Sequence, residues 1–291
     1  MTRMRLVLVA MLLVLTACGQ KQSIVVGSKN FTESVLLGEM IAQRLESAGC
    51  RVDRKLDLGG TLVCDQAITS GDLDIYPEYS GTALTAILHR DIASDRDAVM
   101  RDVAAEYAKR GLQWGPPLGF ENTFAIIVRR ADAERHQLHR ISDLARVAET
   151  FRPGFGYEFV ERPDGWNGLQ QHYGLRFATP PKTMDLGLTY RALASNAIDV
   201  IAGNSTDGLI DALGLVVLED DRRFFPPYDT AIVARADVAK KCAAASEALK
   251  SLENALDEAA MRRLNQAIDG EKRAPADVAR EALARIAKGT L

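Results

Sequence analysis

The chain has 291 residues, 47% of them hydrophobic, and a formal net charge of −3 with both signs interspersed. Such a length and apolar content can bury the cores of one or two domains. Basic patches with interleaved aromatics are absent, which argues against nucleic acid as a partner.

Arg3 and Arg5 precede the apolar run Leu6 to Leu15, which is too short for a comfortable membrane span and is laid out as a secretory signal. It ends in Leu15-Thr16-Ala17-Cys18, where small residues before a cysteine resemble the bacterial lipobox. On that reading residues 1–17 are a lipoprotein signal peptide, Cys18 carries lipid, and 18–23 tether the protein to a membrane outside the cytoplasm. A plain signal peptide with a chance cysteine is the bland alternative. Cys50, Cys64 and Cys242 match no zinc spacing, and three thiols cannot all pair within one chain. The sequence is equally consistent with a Cys50–Cys64 disulfide and with small buried apolar cysteines.

Ile24 to Gly27 is predicted as a strand, and Ser28-Lys29-Asn30-Phe31-Thr32-Glu33 as the turn feeding a helix to about Ala48. Leu36, Leu37, Met40, Ile41 and Leu45 mark that helix's apolar face. A strand leading into a helix start places ligands at the strands' carboxyl ends. Arg51 to Leu58 follows as a second strand, and Gly59-Gly60-Thr61 opens a helix to Thr69. Leu73 and Ile75 then alternate with Asp72 and Asp74 as a brief strand, which Pro77 is expected to end because it lacks an N–H. Ser80 or Thr82 is a candidate cap for a helix from Ala83 to Leu88. Tyr76, Tyr79 and that polar helix start are thereby delivered to one place, which suits a small ligand carrying both a cation and an anion. Tyr79 as a half-buried packing residue is the alternative.

A surface helix is expected within Asp91 to Arg110, then Leu112 to Trp114 and a Gly115-Pro116-Pro117 break. Thr123 to Val128 reads as a buried strand, and the first crossing between lobes is placed at the charged segment 129–140. Beyond it the same alternation returns, with a helix from Ser142, strands at Phe155 to Phe159 and Leu175 to Ala178, and helices at 165–173 and 185–195. The segment Asn196 to Gly208 repeats the grammar of Ser70 to Thr82, which implies two related lobes. Leu215 to Leu218 is the last strand of the second lobe, Pro226-Pro227 stiffens the return, and helices fill the chain from Asp237 onward. Pro275 sits in a helix's first turn.

The polar inventory offers no catalytic constellation. His136 and His139 belong to a charged, solvated face. Gly203-Asn204-Ser205 lacks the second glycine of a hydrolase elbow, and Gly154 with Gly156 opens no dinucleotide turn. Asp72, Asp74 and Glu78 are explained by solvent contact without a metal.

Taken as a set, Val26 to Glu33, Leu58 to Thr61, Asp74 to Thr82, Met184-Asp185, Ser205 to Gly208 and Phe225 to Asp229 resemble the extracytoplasmic substrate-binding proteins of osmoprotectant ABC importers. The resemblance runs from Ile24 to the C-terminus. It implies an α/β, type II periplasmic-binding-protein fold, with two α/β lobes, two crossover segments and a ligand cleft between them. Lobe 1 would comprise 24–125 and 226–291, and lobe 2 would comprise 126–225. It further implies a quaternary amine or zwitterion of the glycine betaine, choline or carnitine class, an ABC permease and its ATPase as partners, and neither cofactor nor enzymatic activity. Tyr79, Tyr228 and Phe124 would be walls around the quaternary ammonium, while Lys29, Thr82 and Arg162 hold an anionic end with Asn122 nearby. Asn204 stands where a tyrosine is expected and could donate to a polar ring, so a ring-bearing betaine (ergothioneine-like) or an amino acid is the alternative ligand. A lipoprotein enzyme would require a base and nucleophile that the histidines do not supply, and a signalling role would require a separate partner.

Overall fold

The computed structural model describes residues 22–291; the signal peptide, Cys18 and most of the expected tether lie outside the described residues. The first sheet opens with β1 (Ile24–Gly27), α1 (Thr32–Ser47), β2 (Val52–Lys55), α2 (Thr61–Ser70) and β3 (Ile75–Tyr79). After a helical turn at Ser80–Thr82 and a π-helical segment at Ala83–Ile87, α3 (Arg96–Lys109) leads to β4 (Leu112–Glu121). The chain then enters β5 (Phe124–Arg129), followed by α4 (Arg130–His136), β6 (Pro153–Gly156), α5 (Tyr157–Glu161), α6 (Trp166–Tyr173) and β7 (Lys182–Met184). Next come α7 (Leu186–Ala194), β8 (Val200–Asn204), α8 (Leu209–Ala212), β9 (Leu215–Leu218) and β10 (Asp229–Arg235). The C-terminal helices are α9 (Val238–Lys241), α10 (Ala245–Lys250), α11 (Glu258–Asp269) and α12 (Pro275–Ile286).

Two five-stranded sheets result, ordered β2-β1-β3-β10-β4 and β7-β6-β8-β5-β9. They match strand for strand. In each, the first three are parallel and the fourth, β10 or β5, runs antiparallel to both of its neighbours. The two antiparallel strands are the ones by which the chain enters each sheet from the other. This is the two-lobed α/β architecture expected of the resemblance. Because β5 already belongs to the second sheet, the chain crosses at Asn122 and Thr123, and the charged segment 129–140 contributes α4 within that lobe. The crossings lie side by side, since the Asn122 N–H donates to the Tyr228 carbonyl at 3.1 Å.

Several expected boundaries move for physical reasons. Pro77 lies inside β3, which pairs with β1 only at Val26–Ile75 and with β10 from Thr230 to Ala234. The Tyr79 N–H turns away from β10 to the Glu78 carboxylate at 2.7 Å. By alternation the Pro77 nitrogen faces that same side, where β1 has already ended, so no ladder bond is lost. Pro116 and Pro117 are likewise tolerated within β4, an edge strand whose register against β10 is interrupted. In the second lobe the strand stops at Gly156, and Tyr157 to Glu161 coils into a helix instead of extending to Phe159. The parallel neighbour is Lys182–Met184 in place of Leu175 to Ala178. Neither Ser80 nor Thr82 caps a helix. Asp74 is 1% exposed and accepts from the Val25 N–H and from Lys241 Nζ, so a buried ion pair replaces the expected solvent contact.

The apolar face of α1 packs with α10, α11 and α12 over β1 and β3. Cys50, just past α1, forms a disulfide with Cys242, just past α9, across 192 residues of chain. Cys64 is buried and free on α2, so the Cys50–Cys64 pairing does not form. No helix among the described residues is long and apolar enough to cross a membrane.

Candidate functional site

The carboxyl ends of β1 and β3, the start of β5 and the approach to β10 converge between the sheets. They enclose a cavity of about 50 Å³ lined by Lys29, Phe31, Tyr79, Thr82, Asn122, Phe124, Glu158, Arg162, Asn204 and Tyr228. The structure thus brings all eight ligand-binding candidates named from the sequence to one wall-to-wall space, together with two residues that were not singled out, Phe31 and Glu158. A larger cleft of about 770 Å³ shares Lys29, Phe31, Phe124, Glu158 and Asn204 with it and continues to Tyr157, Leu186 and Asp269.

The walls are aromatic. Tyr79 and Tyr228, 4% and 1% exposed, belong to the same apolar cluster as Phe155 and Phe159 of the second lobe. Phe31 stands 6.0 Å from Tyr79 between ring centroids, and Phe124 stands 5.8 Å from Tyr228, edge to face. Gly81 makes this possible, because a Cβ there would lie 2.8 Å from both the Tyr228 ring and the Pro227 carbonyl oxygen. Two protein cations already lie over these faces. Lys29 Nζ is 5.3 Å from the Tyr79 centroid, and the Arg162 guanidinium carbon is 4.9 Å from that of Phe124 and 5.9 Å from that of Tyr228. The rings are therefore placed and oriented for positive charge.

Each cation is matched by a buried carboxylate that sequence reading did not assign to the site. Lys29 Nζ lies 2.5 Å from Glu78 Oε1 and donates to Thr61 Oγ1 at 2.9 Å. Arg162 forks onto Asp164, with Nε to Oδ1 at 2.9 Å and Nη2 to Oδ2 at 2.5 Å, and its Nη1 donates to Thr82 Oγ1 at 2.9 Å. The Tyr228 hydroxyl donates to the same Asp164. Burial pushes the Asp164 carboxyl up, but the adjoining Arg162 guanidinium outweighs it and holds the group below the usual range. For Glu78 burial wins over Lys29, and its carboxyl is raised.

Glu33 is the hub of the site. It is 1% exposed and accepts from the Tyr79 hydroxyl at 2.8 Å, Asn122 Nδ2 at 2.8 Å, Asn265 Nδ2 at 3.1 Å and the Thr206 hydroxyl. Burial pushes its carboxyl up to about 7 against the pull of these four donors. Its partners come from the end of β3, the first crossing, the turn after β8 and α11, so one carboxylate ties both lobes together. A signal existed in the sequence, since Phe31 and Glu33 share the 28–33 loop already placed at the site end of the sheet.

From the second lobe, Glu158 reaches the start of α2, accepting from the Thr61 N–H at 2.5 Å. A free helix-terminal N–H suits a carboxylate. Gly60 leaves room for it, as a Cβ there would lie 2.3 Å from Glu158 Oε1. Asn204 is also held from behind. Its backbone N–H donates to Asp207 Oδ2 at 2.9 Å and its Nδ2 to Oδ1 at 3.3 Å, so the amide nitrogen expected to meet a ligand is turned onto protein. Among the described residues no group of three or more metal-ligating side chains comes together.

A family model described as the substrate binding domain of ABC-type glycine betaine transport systems matches residues 22–285. The chain is 32% identical over 269 residues to an ergothioneine transport permease/ergothioneine binding protein of Helicobacter pylori, covering 92% of this chain but 48% of that one. It is also 32% identical to a carnitine transport binding protein of Listeria monocytogenes, covering 90% of this chain and 86% of the relative. A crystal structure titled as a glycine betaine/carnitine/choline ABC transporter superposes with a TM-score of 0.75 at 30% identity, over 90% of this chain and 98% of that one.

Proposed function

The chain belongs to the substrate-binding domain family of ABC-type glycine betaine transport systems, and from that premise we propose that its cleft captures a small quaternary-ammonium compound for uptake. Members of this family are extracytoplasmic binding components of importers, not enzymes. The glycine betaine, choline and carnitine class is the ligand class proposed here, and an ABC permease with its ATPase is the proposed recipient. The observation that carries this reading is the enclosure of one cavity by Phe31, Tyr79, Phe124 and Tyr228 with donors from Lys29, Thr82 and Arg162. A trimethylammonium group offers no hydrogen bonds, so aromatic faces recognise it, each contributing about 0.5–2 kcal/mol. Lys29, Thr82 and Arg162 supply the grip for an anionic end. Lobe closure would bury the ligand and create the shape a permease recognises.

A ring-bearing betaine is the second reading. It is supported by Asn204 standing where a tyrosine wall from the second lobe is expected, and by the ergothioneine named for the Helicobacter relative. Lipid at Cys18 is proposed as the means of holding the protein at a membrane; Cys18→Ser should release it into the soluble fraction, and unchanged membrane association would count against lipidation. Calorimetry of the purified protein against glycine betaine, choline, carnitine, proline betaine and ergothioneine tests the ligand class. Binding of amino acids with none of these five bound would overturn the cation-cage reading.

A further inference from the structure

Glu158 joins the lobes through a contact made by neither crossing. It is the second residue of α5 in the second lobe; its Oε1 accepts from the Thr61 N–H at 2.5 Å, and its Oε2 accepts from the Thr61 hydroxyl at 3.2 Å. Thr61, 2% exposed, is the first residue of α2 in the first lobe. An N–H at a helix start has no acceptor within its own helix, and the dipole there favours negative charge. Gly60 completes the seat. With a φ of −75° its backbone would suit other residues, yet a Cβ there would lie 2.3 Å from Glu158 Oε1. The missing side chain is thus demanded by the contact and not by the conformation. The contact is also wired to the cavity. A hydroxyl has a single proton to give, and Thr61 Oγ1 accepts from Lys29 Nζ at 2.9 Å, so its own proton is free for Glu158. Glu158 lines both the small cavity and the larger cleft, and so stands where the two meet.

We propose that Glu158 is a latch: its seat on Gly60 and Thr61 holds the lobes closed over the cavity and slows the escape of whatever is bound. It acts through Thr61 as a positioning residue and makes no contact on which the choice of ligand depends. The inference rests on the capture of a ligand between the lobes proposed above, but on no particular ligand class.

The test pairs calorimetry and stopped-flow binding of choline, a cation, and carnitine, a zwitterion, with small-angle scattering of the purified protein without ligand. Both Gly60 and Glu158 are half-buried, so each can be changed without opening the core. Glu158→Ala should bind each compound about tenfold more weakly, chiefly through faster dissociation and by the same factor for both. Gly60→Ala, which pushes the carboxylate off its seat, should do the same. In the double variant the second change should add less than about twofold, because no carboxylate remains to be displaced. Scattering should show a larger radius of gyration in each variant than in the native chain. Losses that multiply in the double variant, an unchanged radius of gyration, or a loss confined to the cation, which would make Glu158 a ligand contact, would each overturn the latch and leave the ligand class standing. Failure of both compounds to bind the native chain would count against the ligand class, and the scattering would still decide the latch.

Discussion

The phenolic oxygen of Tyr79 lies 2.8 Å from Glu33 Oε1, with the two residues 4% and 1% exposed. The ring that walls the cavity is therefore held by its own hydroxyl, and the carboxylate that holds it also holds Asn122, Thr206 and Asn265. Wall and lobe contact share one acceptor. A substitution at Tyr79 acts on both, which decides how it should be made.

Tyr79→Phe keeps the aromatic face and removes one of four donors from Glu33. Urea unfolding should show a loss of about 1–3 kcal/mol, with quaternary-amine affinity within a few-fold of the native chain. Tyr79→Ala also deletes buried ring volume, at about 3–5 kcal/mol, and removes the wall, so binding should collapse. If the Phe variant loses as much affinity as the Ala variant, the hydroxyl and not the ring face recognises the ligand.

Stability should depend on pH through Glu33. Burial sets its carboxyl near 7 in the folded chain, against 4.5 ordinarily. Between those values the folded state holds the proton more firmly than the unfolded one, so this contribution is full below about 4.5 and is lost as pH rises through 7. Asp207, pushed up to about 6 by burial, acts in the same direction over a lower window. The Glu33 share is on the order of 3 kcal/mol. Denaturation midpoints measured from about pH 5 to 8 should fall for the native chain. In Glu33→Gln the decline above pH 6 should flatten; an equally steep decline in that variant would place the titration elsewhere.

The Cys50–Cys242 disulfide spans 192 residues and joins the end of α1 to the C-terminal helices. Neither cysteine lines the cavity. Replacing both by Ser should lower unfolding stability by about 2–5 kcal/mol while leaving ligand affinity within about twofold. Cys64, whose thiol burial pushes up to about 12, should resist alkylation in the folded chain. A large drop in affinity in the double variant would mean that the C-terminal helices position the site more directly than their packing indicates.

Local signals made the parallel strands of the first sheet and the loops at their carboxyl ends readable, because those features depend on neighbouring residues, whereas β6 was displaced and β7 missed in the second sheet. Lys29, Tyr79 and Tyr228 stand in motifs that sequence alone could order but not join. What remained hidden depends on burial across the fold. Asp74 and Glu78 read as solvent-exposed acids, and Asp164 drew no assignment, until the sheets bring Lys241, Lys29 and Arg162 against them. Pro77 read as a strand terminator because nothing nearby in sequence reveals that β1 has ended on the side its nitrogen faces. The disulfide partner of Cys50 is likewise set by packing of the last helices and not by spacing.

Arg162 has two roles that a single substitution confounds. It is paired with the fully buried Asp164, which also accepts from the Tyr228 hydroxyl, and its Nη1 group keeps an N–H beyond the one given to Thr82. Arg162→Met leaves a buried carboxylate without its cation, and about 3–5 kcal/mol of stability should be lost. Adding Asp164→Asn removes that charge, keeps an acceptor for Tyr228, and should recover a large part of the loss in urea unfolding. Affinity for a ligand with an anionic end should stay reduced by about tenfold in the double variant, since the missing charge-assisted hydrogen bond is not replaced. Affinity for a quaternary amine without an anionic end should be nearly unchanged. Recovery of both stability and zwitterion affinity in the double variant would make Arg162 a partner of Asp164 and Tyr228 only, and would leave Lys29 and Thr82 as the grip on the anionic end.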